Sequence, residues 1–360
     1  MTRYARNWKK GTAVAVEETQ VERNGEMIPA TFMSPASHKG ELPAWIILGG
    51  ITSMGRFHPQ LIRFARALAA SGAGVMVPEI PEWRDLKLAP EMTTPTVRGA
   101  LRALEARPEV QKCKVGLVGF SFGAAQAAIA SSYEDLSRRI AGVVLFGGYC
   151  DLERTLRYQL TGLHEWDGVT ERVDPDPYGR WVIASNYLTL VPGYEDATEV
   201  CAALRRLALA STELRIPAWD PRHDALKAEL RSNLMSRHQT TFDLFAPCTT
   251  ATTLGGDAGE AMAIDLARAC RKSQPLLDPN IELERMRVPI HLFHGRGDRL
   301  VPYTESLRFH QRLPTNIRSD VTVTGLFAHS ADHRPATMAL RVREGLVFFK
   351  AMQGVLNWVG

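Results

Sequence analysis

Val115-Gly116-Leu117-Val118-Gly119-Phe120-Ser121-Phe122-Gly123-Ala124-Ala125 decides how the rest of this chain is read. Val115 to Val118 is a short apolar run of the kind a buried strand makes. Ala124, Ala125, Ala127, Ala128 and Ala130 follow, small residues that suit a closely packed helix. Between them lies the pentapeptide Gly119-Phe120-Ser121-Phe122-Gly123. As a bare Gly-x-Ser-x-Gly pattern it arises by chance in roughly one chain of this length in ten. The flanks therefore carry the reading. Between a strand and a helix, the serine occupies a sharp turn that lifts its hydroxyl clear of the backbone. Both glycines are needed there, because a Cβ at position 119 or 123 would collide with the neighbouring strand or helix. The same turn aims the N–H of Phe122 at any oxyanion that forms on Ser121. The bland alternative is a tight turn with a bystander serine, and the flanks favour a nucleophile.

Working back toward the N-terminus, Ala44-Trp45-Ile46-Ile47-Leu48 is a continuous apolar run, as expected of a central parallel strand. It leads into Gly49-Gly50-Ile51-Thr52-Ser53-Met54-Gly55, where a glycine pair lets backbone amides face a ligand closely. A helix is expected over 57–71 and a strand over 74–77. The proline-rich, charged stretch 79–94 reads as surface rim. Residues 96–106 read as a helix stopped by Arg107-Pro108. Residues 12–20 and 27–33 read as two strands joined at Asn24-Gly25, a two-residue turn signature in which both positions need positive φ.

Working forward, 141–146 is another buried strand, ending near Asp151. Strands that alternate with helices predict a mostly parallel, doubly wound sheet with helices on both faces. Ligands then bind at the carboxyl ends of the strands. Residues 151–288 break the rhythm. Helical patches are expected at 198–210 and 224–236, with loops at 174–179 and 249–259. We read 151–288 as an α-rich cap inserted after the sixth strand of a core made of 1–150 and 289–360. The alternation resumes with a strand at 289–294, then Gly295-Arg296-Gly297-Asp298, a helix over 304–312, a strand over 320–324, Ala328-His329-Ser330, and a helix from about 334 to 358.

Three chemically able residues thus end strands in the order Ser121, Asp298, His329. A serine hydroxyl is a poor nucleophile at neutral pH and needs a base. His329 fits that role, with Asp298 to hold the imidazole in one tautomer. The amides of Phe122 and Ile51 fit an oxyanion hole, with Thr52 as the alternative to Ile51. Asp151 is the alternative acid and His333 the alternative base. His291 and His294 read as packing residues of a buried strand. Tyr149, Trp166, Tyr178, Trp181 and Tyr187 read first as core and only second as pocket lining.

These motifs resemble the α/β-hydrolase superfamily. The Gly-Phe-Ser-Phe-Gly elbow, His294-Gly295-Arg296-Gly297-Asp298 and the late Ala328-His329-Ser330 carry the likeness, over about 12–150 and 289–350. The resemblance implies a Ser-Asp-His triad, a lid where 151–288 lies, and a serine hydrolase acting on a carboxylic ester through an acyl-enzyme with no cofactor. Peptidases, acyltransferases and lyases share the fold, and a non-catalytic ligand-binding relative is a further reading. One departure is that Gly49-Gly50 stands where many relatives have His-Gly.

The totals narrow the classes. The chain has 360 residues, 45% of them hydrophobic and 8% aromatic, enough for a substantial core. With 43 basic against 39 acidic residues and no basic block, neither nucleic acid nor an anionic membrane is an expected partner. A small-molecule ester is the expected one. Oligomeric state is left open, a homodimer being one possibility. No His-Glu-x-x-His or similar ligand spacing points to a metal. The five cysteines form no C-x-x-C pair and read as free thiols in a reducing compartment. No apolar segment follows Met1–Lys10 as a secretory signal would, and no run reaches a membrane span, so the expectation is a cytoplasmic protein.

Overall fold

The computed structural model describes residues 14–38, 40–249, 255–326 and 338–359. Eight strands form one sheet in the order β1-β2-β4-β3-β5-β6-β9-β10. They are β1 (Val14–Arg23), β2 (Glu26–Pro35), β3 (Ala44–Leu48), β4 (Gly74–Pro78), β5 (Val115–Phe120), β6 (Ile140–Phe146), β9 (Ile290–Gly295) and β10 (Ser319–Thr324). From β4 to β10 every pairing is parallel; β1 and β2 add an antiparallel edge. The β1–β2 hairpin closes at Asn24-Gly25, with φ of 51° and 86°, as the turn signature requires. The start of the first expected strand lies outside the described residues.

Residues of β3, β4 and β9 are buried throughout, which means that both faces of the sheet are covered. Strand periodicity splits them between two cores. Trp45, Ile47, Val118, Val144 and Phe293 pack against α1 (Pro59–Ala70) and the C-terminal helix Met338–Leu356. Ile46, Leu48, Leu117, Val143 and Leu292 face the other way, toward α2 (Thr93–Glu105) and α3 (Phe122–Ser132).

Between β6 and β9 the chain leaves the sheet. This insertion holds α4 (Leu152–Thr161), a hairpin of β7 (Leu163–Trp166) and β8 (Val169–Arg172), α5 (Tyr178–Tyr187), α6 (Thr198–Leu214), α7 (Asp224–Ser232), α8 (Ser236–Phe245) and α9 (Gly256–Ser273). After the insertion come α10 (Thr304–Arg312) and α11 (Met338–Leu356). The insertion shares one apolar cluster with the sheet: Tyr187, Leu188, Leu266 and Cys270 belong with Leu88, Phe122 and Leu117.

That shared cluster corrects one expectation. The stretch 79–94 is not surface rim. Glu79, Ile80, Trp83, Leu86 and Leu88 are buried, and the insertion lies over Leu86 and Leu88. Tyr187 Oη donates to Leu88 O at 2.8 Å, and Asn186 Nδ2 to Leu86 O at 2.9 Å. The charges that suggested a rim point outward or pair, as Glu82 does with Arg23 at 2.7 Å. Among the described residues no helix is long and apolar enough to cross a membrane.

His291 on β9 gives the fold a pH dependence. It is buried, its ring stacks on Phe293 at 4.3 Å, and Nε2 lies 2.9 Å from Thr322 Oγ1. Burial pulls its pKa down to about 4, against the opposing pull of Asp320 and with a smaller push from Arg318. The folded value is below the unfolded one of about 6.5, so on acidification the unfolded chain takes up the proton first. Stability from this group is complete above about pH 6.5 and falls toward pH 4, by about 3 kcal/mol. Urea midpoints at about pH 7 and about pH 4.5 should differ less in His291→Asn than in the parent; equal differences would discount His291 as the cause.

Candidate active site

Ser121 sits where β5 hands over to α3, at φ 54° and ψ −123°. A side chain rarely adopts this backbone, and it costs about 1–3 kcal/mol. The surroundings hold it there. Its amide donates to Phe146 O at the end of β6 (2.8 Å), and its carbonyl accepts from Ala124 N (2.9 Å). Close approach of the backbone explains the flanking glycines. A Cβ on Gly119 would lie 2.2 Å from Gly123 O, and one on Gly123 would lie 2.1 Å from Gly49 O. The elbow is therefore wedged against the glycine pair that follows β3. A Cβ on Gly50 would stand 3.2 Å from Ser121 Cβ and 3.6 Å from its Oγ, so the backbone at residue 50 comes within reach of the hydroxyl.

Phe122 opens α3, and as a first-turn amide its N–H has no intrahelical acceptor. It adds to the positive end of the helix dipole beside Ser121. The Phe122 ring is fixed edge-on to Trp83, centroids 5.1 Å apart. Ile51 packs on the same apolar cluster. Thr52, the alternative amide, uses its carbonyl and hydroxyl within its own turn, accepting from Gly55 N (2.9 Å) and Met54 N (3.4 Å).

A row of aromatics braces the strand ends. Phe120, Phe146 and Phe293 occupy equivalent positions on β5, β6 and β9, and their rings stack at 4.8 and 4.9 Å. Asp298 follows β9, two strands along the sheet from Ser121. Its carboxylate is buried. Oδ1 accepts from the amides of Leu300 (2.8 Å) and Val301 (3.0 Å), and Oδ2 lies 3.3 Å from His294 Nε2. His294 is buried, as read from the sequence, but it is not only packing. Val301 O lies 2.9 Å from Nε2 and can only accept, so Nε2 carries a proton; Ser306 Oγ is 2.6 Å from Nδ1. The i, i+4 spacing of His294 and Asp298 across a tight turn was the available signal for this contact.

Asp151 has other work. It caps α4, accepting from Arg154 N at 2.9 Å, and lies 3.6 Å from the guanidinium groups of both Arg154 and Arg271. Tyr149, Trp181 and Tyr187 are buried, and Trp166 is on the β7–β8 hairpin under Arg308. Tyr178 reaches the site loop instead, donating from Oη to Ile51 O at 3.0 Å. His329 and His333 lie outside the described residues. The structure thus brings Ser121, Phe122, Gly50 and the Ile51 segment together and puts Asp298 at a strand end on the same edge of the sheet. Among the described residues no group of three His, Cys, Asp or Glu side chains could hold a metal ion.

No family model and no curated protein sequence matches this chain. Solved structures do resemble it. An acylaminoacyl peptidase in complex with Z-Gly-Gly-Phe-chloromethyl ketone superposes with a TM-score of 0.52 at 11% identity, over 94% of this chain and 41% of that one. The uncomplexed acylaminoacyl peptidase of Pyrococcus horikoshii gives 0.50 at 12% identity, over 96% and 42%. Est1E from Butyrivibrio proteoclasticus gives 0.50 at 10% identity, over 95% of this chain and 98% of that one. The chain spans less than half the length of either peptidase and nearly all of Est1E. At these identities the likeness is one of fold.

Proposed function

From the α/β-hydrolase fold of this chain we propose that it is a serine hydrolase, cleaving a carboxylic ester of a small or medium substrate through an acyl-enzyme. The observation that carries the reading is the left-handed backbone of Ser121, held by two glycines that have no room for a side chain. Strain of this kind persists only where the surroundings enforce it, and it gathers at reactive positions.

In the mechanism Ser121 Oγ attacks the ester carbonyl while His329 takes the hydroxyl proton. The amides of Phe122 and Ile51 receive the oxyanion; losing one such donor costs about two to three orders of magnitude in rate. The carbonyl re-forms, the alkoxide leaves, and His329 returns the proton to it. Water then repeats the sequence and frees the acid. Asp298 holds His329 in the tautomer that leaves the nitrogen facing Ser121 free to accept. Two backbone amides already fix Asp298 Oδ1, which favours it over Asp151, a helix cap between two arginines. Residues 151–288 form the cap over this site, which favours an enclosed pocket over an open interfacial one.

The fold is shared by esterases and peptidases and cannot choose between them. A panel of p-nitrophenyl esters of rising chain length, aminoacyl p-nitroanilides and a triglyceride emulsion makes the choice. Short-chain esters should be turned over fastest. Faster amide cleavage would make the chain a peptidase, faster emulsion turnover would contradict an enclosed site, and no turnover together with no fluorophosphonate label on Ser121 would end the hydrolase reading.

A further inference from the structure

We propose that Tyr178 is a positioning residue for the oxyanion-hole loop, fixing the peptide after Ile51 from the insertion and tying that loop to the loop that carries Asp298; the inference rests on the serine-hydrolase reading above.

The loop after β3 is held at both ends by the sheet. At its start, Gly49 and Gly50 press against Gly123 and Ser121. At its end, Gly55 takes φ 51° with no room for a Cβ, which would stand 2.3 Å from Glu79 Oε1. Glu79, buried at the end of β4, accepts from Arg56 N (3.3 Å) and from its guanidinium (3.1 Å). Arg56 also binds Thr31 Oγ1 at 3.0 Å. The middle of the loop is different. The hold on Ile51 comes from across the chain, where Tyr178 Oη meets its carbonyl at 3.0 Å.

Tyr178 is itself fixed. It opens α5, and its amide donates to Asp176 Oδ1 at 3.0 Å. Asp176 N donates to Arg299 O at 2.7 Å, beside Asp298. Arg299 donates back to Asp174 O, also at 2.7 Å. Gly179 lies against Leu300, where an added Cβ would be 3.1 Å from Cδ1. The segment 174–179 is thus a strap with one edge on the acid loop and a phenol on the oxyanion loop. Thr212 of α6 lies against the same phenol, and burial pushes the Tyr178 pKa up to about 12, so the hydroxyl stays a donor through the neutral range.

Rigid peptide planes meet at Ile51 Cα through its φ and ψ alone, so a hydroxyl that fixes the plane after Ile51 narrows the aim of the Ile51 amide in the plane before it. Aim matters most where charge develops, so the effect belongs on kcat rather than on KM. Losing the aim of a donor should cost less than losing the donor.

The test uses the full chain and the best p-nitrophenyl ester of the panel, with active sites counted by fluorophosphonate carried to completion, so that unfolded protein does not enter kcat. Tyr178→Phe is expected to lower kcat about 10-fold with KM within about twofold. Tyr187→Phe is the control. It removes the same kind of bond between the insertion and the core, to Leu88 O, away from the loop. It should lower the melting temperature about as much and leave kcat unchanged. If kcat is unchanged in Tyr178→Phe, or falls equally in both variants, the positioning role is wrong while the hydrolase reading stands. A parent protein that neither labels nor turns over ester overturns both.

Discussion

Ser121→Ala is expected to lower kcat by at least about 10⁴-fold while leaving the fold intact. Removing the hydroxyl leaves the backbone amides in place, so ester binding should persist and KM should change little. Fluorophosphonate labelling should vanish with turnover, since both need the same oxygen. The strained backbone supplies a second reading of the same position. At φ 54° alanine keeps the strain and glycine releases it. Ser121→Gly should therefore be as inactive as Ser121→Ala and melt at a higher temperature than either Ser121→Ala or the parent. If both variants melt alike, the backbone is not strained and the central observation loses its force. If Ser121→Ala keeps its turnover, the nucleophile is elsewhere.

The second large effect is expected at Asp298. Asp298→Asn should lower kcat by about 10⁴-fold, because in the proposed mechanism His329 then settles in the wrong tautomer. The variant can keep Oδ1 for the amides of Leu300 and Val301, but its NH₂ then replaces Oδ2 and faces His294 Nε2, which also carries a proton. Two donors 3.3 Å apart repel, so some loss of stability should accompany the loss of rate. Asp151→Asn separates the candidates. It keeps a cap oxygen for Arg154 N but removes the charge from two ion pairs, so it should lower the urea midpoint modestly and leave kcat within a few-fold. If Asp151→Asn carries the kinetic loss instead, the acid is Asp151.

Much of the sheet was legible because parallel strands buried on both faces announce themselves as apolar runs. Ala44–Leu48 was read to the residue. Asn24-Gly25 fixed its hairpin because few other residues tolerate two positive φ values in succession. The same signature recurs at Asp167-Gly168, with φ of 52° and 74°, and joins β7 to β8. It went unread because the flanking strands are short and largely exposed.

The insertion was least legible, for a physical reason. Helix α5 buries Arg180, Trp181, Val182, Ile183, Ala184 and Ser185 in succession, so no polar face marks its period. Helix α9 opens on a Gly-Gly pair that reads as loop, and its apolar stripe starts only later. The stretch 79–94 was misread because prolines and charges signal exposure, whereas Leu86 and Leu88 are covered by a segment about a hundred residues away. In the site, Ser121 and Phe122 were legible because their constraint is local. The contact of Tyr178 with Ile51 spans 127 positions and leaves no trace in either neighbourhood.

The apolar cluster shared by sheet and insertion has a consequence for anyone who would re-engineer this chain. Residues 151–288 are not a detachable module. Excising them would strip the cover from Leu86 and Leu88 and open the apolar cluster that the insertion shares with the sheet, an oily face that invites aggregation. Grafting a foreign replacement would have to match that face side chain for side chain. New specificity is better sought by randomising residues in place, leaving the seam between the two layers untouched.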